Sequence, residues 1–277
     1  MIGSYMDESF DRAQAGVFAV GGLLGRGVPF FELERKWEKL RKRPDIDIAY
    51  FKASQCQRGK GEFSKFVADP KNITQQERAK LDSISQEFLN LIAKEELIVA
   101  GVGVIQDDFY DVIKDSNAHT ILGDSPYRLA YDFAMIQCAW AMKKLNTGDT
   151  VSFVCDEHET YSSLANNAYC DLKAKNPHAS KYMAAFSSAD DRYCEPLQAA
   201  DAAVFEIRRA LKLALGQRKG QLRQQFNILA DAGKMFLIQH TDRKHLLHII
   251  ANHKPGEPFK LDEIMEQTFS ENIKIRI

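Results

Sequence analysis

The sequence predicts an α/β protein, a mixed β-sheet flanked by helices and opened by an antiparallel hairpin. Three observations carry this reading. Two apolar runs, residues 2–6 and 16–24, lie close together at the start with a polar segment, residues 10–15, between them, which is the pattern of a hairpin. From Leu97 onward, short apolar runs alternate with longer stretches of helical periodicity, and such alternation favours a sheet with crossover helices. A length of 277 residues with 45% hydrophobic content is enough to bury a large core.

Taken in order, the first run ends in Asp7-Glu8-Ser9, and the second is a nearly continuous apolar strand closed by Gly25. Residues 29–43 set Phe30, Leu33, Trp37 and Leu40 at helical spacing. Residues 46–54 read as another extended piece, followed by a polar Gly/Lys segment. Thr74 and Glu77 have the spacing of a capping box, and the helix behind them carries Leu81, Ile84, Phe88, Leu91 and Ile92 on one face. Together these pieces form an insertion of about residues 28–95 after the hairpin. A buried-type strand follows at 97–105. Ser125-Pro126 then starts a helix with Leu129, Phe133, Ile136 and Trp140 inward. A strand at 150–155 ends in Asp156-Glu157, a helix runs through Leu164, Ala168 and Leu172, and 182–186 is a short strand. Pro196, tolerated at a first helical position, opens the last helix of a domain expected over residues 1–215. Residues 216–277 read as a mostly helical C-terminal appendage that begins with Arg218, Lys219 and Arg223.

Composition narrows the classes. A net charge of −1 and a pI of about 6.7 give no global positive field toward nucleic acid or membrane, so any basic surface is local. The cysteines (Cys56, Cys138, Cys155, Cys170, Cys194) are odd in number and never form a C-x-x-C pair. This argues against structural zinc and a disulfide framework, and for a reducing, cytoplasmic location. No apolar run approaches 18 residues. No Walker-type phosphate loop and no Gly-x-Ser-x-Gly elbow is present.

The anomaly is Asp201. It falls on the apolar side of the last helix, one turn from its start and flanked by alanines. A buried lone carboxylate costs several kcal/mol unless something pairs with it; the alternative is a place at the edge of the packed stripe, in reach of water. Two other acids end strands, Asp7 and Asp156. If the first and fourth strands are neighbours, their carboxyl ends bring these two together, and ligand sites in α/β sheets lie at such ends. Convergent carboxylates either protonate or share a cation, and all-oxygen ligands suit Mg²⁺ or Mn²⁺. Glu8 and Glu157, beside two of the acids, are candidates to complete a second site. Each feature also has a plainer reading. Asp7-Glu8-Ser9 fits a strand-ending turn, and Asp156-Glu157 fits a helix N-terminus, where the dipole favours acids. Asp132 reads as an exposed helix residue and Lys52 as a solvated lysine. The histidines His240, His245, His248 and His253 lack a strict i, i+4 pair with a third ligand, and a partly exposed helix accounts for them.

The signature Tyr5-Met6-Asp7-Glu8-Ser9, followed by a Gly-rich apolar strand and much later by Pro196-Leu197-Gln198-Ala199-Ala200-Asp201, resembles the family catalogued as domain of unknown function 3800. Asp156-Glu157 is similar to that family's middle acidic position, and Lys52-Ala53-Ser54 resembles a short motif between the first two. Phe10-Asp11 departs from the Gly or Ala that many members carry after the first Ser. The resemblance spans about residues 1–212 and implies a ribonuclease H-like fold with a carboxylate metal site. The expected function is a metal-dependent phosphodiester hydrolase, a nuclease. Asp7, Asp156 and Asp201 would hold Mg²⁺ or Mn²⁺, with two cations roughly 3.5–4 Å apart, and Glu8 or Glu157 would orient water. Lys52, Arg192, Arg208 and Arg209 would contact nucleic-acid phosphates. The competing class is a non-catalytic ribonuclease H-like interaction module in a regulatory or defence system, which the near-neutral charge favours.

Overall fold

The structure, a computed structural model, describes residues 2–10, 16–115, 118–146, 148–159, 161–231, 236–260 and 263. Its centre is a mixed six-stranded sheet of β1 (Ile2–Ser9), β2 (Val17–Arg26), β3 (Ile98–Ile105), β4 (Val151–Asp156), β5 (Met183–Ala189) and β6 (Phe236–Thr241). The spatial order is β5-β4-β1-β2-β3-β6. β2 is antiparallel to both neighbours, and the other pairings are parallel. Five strands therefore present their carboxyl ends at one edge of the sheet.

The helices are α1 (Gly27–Arg41), α2 (Ala53–Arg58), α3 (Gln75–Lys94), α4 (Gln106–Asp115), α5 (His119–Leu122), α6 (Pro126–Leu145), α7 (Tyr161–Lys175), α8 (Pro177–Ser180), α9 (Glu195–Ala214), α10 (Gln224–Ala230) and α11 (Arg243–Asn252). They cover both faces. The period-two alternation of each strand divides its side chains between two cores. Along β3, Ala100, Val102 and Val104 join Phe133 and Ala134 of α6, while Val99 and Ile105 join Trp37 of α1, Phe88 of α3 and Ala203 of α9. Burial on both faces is why the central strands read as continuous apolar runs rather than alternating ones.

Local signals mark several of the helix starts. Thr74 Oγ1 accepts the Glu77 N–H at 3.3 Å while Glu77 Oε2 accepts the Thr74 N–H at 2.8 Å, closing the capping box of α3. Ser125 caps α6, with Pro126 in its first turn. Three expectations need comment. Residues 46–54 form no strand: Pro44, Asp45 and the left-handed Asp47 (φ 43°) break the chain, and Ile46, Ile48 and Phe51 bury as single anchors in the α1–α3 core. The segment read as a helical appendage contributes β6, which pairs parallel with β3 at the sheet edge. A six-residue run is too short for periodicity to assign. The polar turn expected over 10–15 lies, from residue 11 on, outside the described residues. No helix among the described residues is long and apolar enough to cross a membrane.

Candidate functional site

The carboxyl ends of β1 and β4 build the site. In β1 the even residues face α6: Ser4 Oγ lies 3.6 Å from Cys138 Sγ, and Glu8 Oε2 accepts the Tyr131 hydroxyl at 3.0 Å. The odd residues face α1 and α9, with Tyr5 packed edge-on to Phe30. Asp7 is therefore on the α9 side and almost fully buried. Met6 is level with Cys155 in the parallel pairing, so the next residues along, Asp7 and Asp156, end side by side. Asp156 Oδ1 accepts the N–H of Asp191 at 3.1 Å and so fixes a short 3-10 turn, Asp191–Tyr193, beyond β5.

α9 holds the other half. Gln198 and Asp201 lie three residues apart on one helical face, and both are buried. Gln198 Oε1 accepts Trp37 Nε1–H at 3.0 Å and the Phe51 N–H at 2.9 Å, while its Nε2 donates to Asp191 O at 2.8 Å. Asp201 Oδ2 accepts the Ala53 N–H, the first of α2, at 2.6 Å. The backbone on either side of Lys52 is thus tied to α9, and Lys52 is aimed inward. Its Nζ sits 2.6 Å from Asp191 Oδ2, 3.2 Å from Asp7 Oδ2, 3.5 Å from Asp201 Oδ1 and 3.7 Å from Asp156 Oδ2.

Four carboxylates surround one ammonium, and the electrostatics follow from that imbalance. Burial, with the neighbouring Asp7, pushes the Asp156 carboxyl up to about 7. Burial also pushes Asp201 up to about 7, with Lys52 opposing and Asp7 adding to the rise. Asp7 is raised by its own burial against the pull of Lys52. Burial alone would lower the Lys52 ammonium; the carboxylates, led by Asp201 and Asp7, more than reverse this and hold it charged.

Of the sequence-predicted residues, Asp7, Asp156 and Asp201 all meet Lys52. The three acids that each offer an oxygen within 4.8 Å of the others are, however, Asp7, Asp156 and Asp191. Glu8 is not among them. It lies on the opposite face of β1, where burial and then Asp7 push its carboxyl well up. Glu157 is exposed beyond the end of β4, and its backbone N–H donates to Ala189 O. Asp132 is not exposed and lies apart from the cluster: it is on α6, across the sheet, paired with Arg128 at 3.1 Å. Lys52 is a partly buried counter-ion, its side chain 25% exposed, rather than a solvated lysine, and Arg208 is buried with its Nε donating to Ser9 Oγ at 2.9 Å. Arg192 is exposed and paired with Asp190, and Arg209 lies over the Phe205 ring. Two members of the cluster, Asp191 and Lys52, were missed as such. The available signal was the pair Asp190-Asp191 just after a strand.

No family model, curated protein or solved structure matches this chain. Chemically, the cluster offers only carboxylate oxygens and carries more negative charge than Lys52 neutralises. Such a donor set fits a hard divalent cation such as Mg²⁺ or Mn²⁺. Asp7, Asp156 and Asp191 are the residues placed to hold one, with Asp201 next in reach.

Proposed function

We propose that this chain is a divalent-metal-dependent phosphodiester hydrolase acting on nucleic acid, with a ribonuclease H-like arrangement of its catalytic acids. The observation that carries the metal part is the convergence of Asp7, Asp156, Asp191 and Asp201 on one point at the carboxyl edge of the sheet. Resemblance in Tyr5–Ser9 and Pro196–Asp201 carries the nucleic-acid part. A bound Mg²⁺ or Mn²⁺ supplies charge stabilisation at a phosphoryl oxygen and an acidified water. The acids hold the ion in its place, and Gln198 positions the Phe51 and Asp191 segments that deliver Lys52 and Asp191 to the cluster. Lys52, the one cation among them, is the group placed to meet a substrate phosphate once the acids have another counter-charge.

A second reading has its own observation. Lys52 already satisfies the cluster in part, so the same residues could serve as a buried ionic network inside a non-catalytic interaction module. The separating experiment titrates the protein with Mn²⁺ and screens cleavage of single- and double-stranded DNA and RNA, with Asp156→Asn as control. Mn²⁺-dependent cleavage lost in Asp156→Asn supports the hydrolase. Mn²⁺ binding without cleavage of any substrate favours the module, and no Mn²⁺ binding refutes the metal site.

A further inference from the structure

A second group of ligating side chains lies on the same edge of the sheet, apart from the acids. His240 is in β6, Asp242 follows it, and His245 is in the first turn of α11. His240 Nε2 is 3.6 Å from Asp242 Oδ2, and His245 Nδ1 is 2.6 Å from Asp242 Oδ1. One donor atom from each residue falls within 4.8 Å of the other two. The imidazole rings cross at 76° with centroids 5.1 Å apart. β1 and β6 are separated by β2 and β3, so the group stands roughly 14 Å along the edge from Asp7, counted as three inter-strand spacings.

We propose that His240, Asp242 and His245 form a transition-metal site, taking Zn²⁺ first, with water as the fourth ligand. Zinc bonds of about 2.0–2.2 Å in a tetrahedron put ligand atoms roughly 3.3 Å apart. The 3.6 Å separation is already close to that edge, and the 2.6 Å one has to open by less than about 1 Å. Two imidazoles with one carboxylate suit Zn²⁺ far better than Mg²⁺, the reverse of the all-oxygen cluster, so the two sites would sort different ions. The ligands are held in advance. Asp242 caps α11 through the His245 N–H at 3.0 Å, and the three side chains are only 12%, 29% and 12% exposed. A helix cap alone explains the bond between Asp242 and His245. It does not explain why an imidazole from a different element is directed at the second carboxylate oxygen. The ion would tie the edge strand β6 to α11.

The test uses the full chain, stripped with a chelator and titrated with Co²⁺ as a coloured substitute for Zn²⁺. The expected result is a visible tetrahedral Co²⁺ band saturating at one equivalent and displaced by Zn²⁺. In His240→Gln and in His245→Gln the affinity should fall by more than about 100-fold, beyond the loss from removing an outer-shell partner. In Asp156→Asn the band should persist, so this result stands or falls independently of the carboxylate cluster. His240→Gln leaves every cap bond of α11 in place, and its metal-free melting temperature should match wild type. Should His245→Gln not fold, His240→Gln decides alone. No band in wild type, a band that survives His240→Gln, or one lost only in Asp156→Asn would each overturn the proposal.

Discussion

Replacing Lys52 by Met removes the ammonium and keeps an unbranched side chain only one heavy atom shorter. In the metal-free protein it leaves four buried or nearly buried carboxylates, formerly 2.6–3.7 Å from Nζ, without a cation. Removing one partner of a buried ion pair costs about 3–5 kcal/mol. Asp156 and Asp201 already take up protons near pH 7, and this escape places the expected cost at the lower end, about 3 kcal/mol. For a chain of this size that is a fall in Tm of roughly 6–12 °C. The gap should narrow at pH 5, where Asp156 and Asp201 are protonated anyway, and widen at pH 8. Mn²⁺ should act in the opposite sense. A divalent ion about 4 Å from an ammonium is repelled by roughly 8 kcal/mol at an effective dielectric of about 20, so the two cannot share the cluster and Lys52 must move aside. Lys52→Met removes that competition and should bind Mn²⁺ at least about tenfold more tightly, a gain of about 1.4 kcal/mol. Differential scanning fluorimetry of both proteins with chelator and with graded Mn²⁺ reads both effects. If the variant folds and its Mn²⁺-induced shift is no larger than that of wild type, Lys52 and metal do not compete and the acids are not the ion's seat.

Other expectations follow from the same geometry. Asp156→Asn should fold, melt at or above wild type without metal at pH 7, and lose the Mn²⁺-linked stabilisation, which is about 2.7 kcal/mol at 100-fold over Kd; an unchanged shift would remove Asp156 from the site. Glu8→Gln keeps the Tyr131 hydrogen bond and discards a carboxyl that burial disfavours as an anion, so it should gain about 1 kcal/mol near neutral pH while its Mn²⁺ shift stays intact, both read from melting curves. For pH, burial raises Asp201 from 3.8 to about 7, so the folded state keeps a proton that the unfolded chain has released. The resulting stability, on the order of 4 kcal/mol for one such group, is fully present below about pH 4 and lost as pH rises through about 7; urea midpoints in chelator from pH 5 to 8 should fall, and a rise would contradict the sign. Gly21→Ala sets a Cβ against the backbone of Ala100 and Gly101 in the neighbouring strand, with an expected cost of about 1–3 kcal/mol in equilibrium unfolding.

The legible parts of the fold were those specified by local chemistry. Apolar runs separated by a short polar segment gave β1 and β2. Thr74 with Glu77 marked the start of α3, and Ser125-Pro126 that of α6, because caps answer to backbone groups that must be satisfied wherever the helix packs. What was misread depended on partners far along the chain. Residues 46–54 carry strand-like apolar spacing, yet Ile48 and Phe51 are single plugs into a core formed by α1, α3 and α9. β6 was invisible as a strand because β3, its strand partner among the described residues, lies more than 130 residues earlier, and nothing within residues 216–277 announces that edge.

The site divides along the same line, and the division explains why Lys52 was misjudged. Asp7, Asp156 and Asp201 could be found because each breaks a local rule: an acid at the end of an apolar strand, or within the apolar side of a helix. Lys52 breaks none. A lysine near the end of an extended piece, just before a polar Gly/Lys segment, is what a solvated residue also looks like. Its place in the cluster is set instead by Gln198 and Asp201, which take the N–H groups of Phe51 and Ala53 on either side of it. Gln198 is itself held in place: Trp37 Nε1–H of α1 donates to the same Oε1, and its Nε2 donates to the Asp191 carbonyl. The Leu-Gln-x-Ala-Asp element thus encodes two things: a carboxylate for the cluster, and the clamp that brings in the cluster's counter-ion. Asp191 arrives by the same route, held between the Gln198 amide and the Asp156 carboxylate. If the acids exist to hold a divalent ion, the clamp keeps the metal-free cluster from flying apart. If they do not, the clamp and Lys52 are the reason the acids persist at all. Removing Lys52 separates these two cases, since only the first predicts tighter Mn²⁺ binding from a less stable protein.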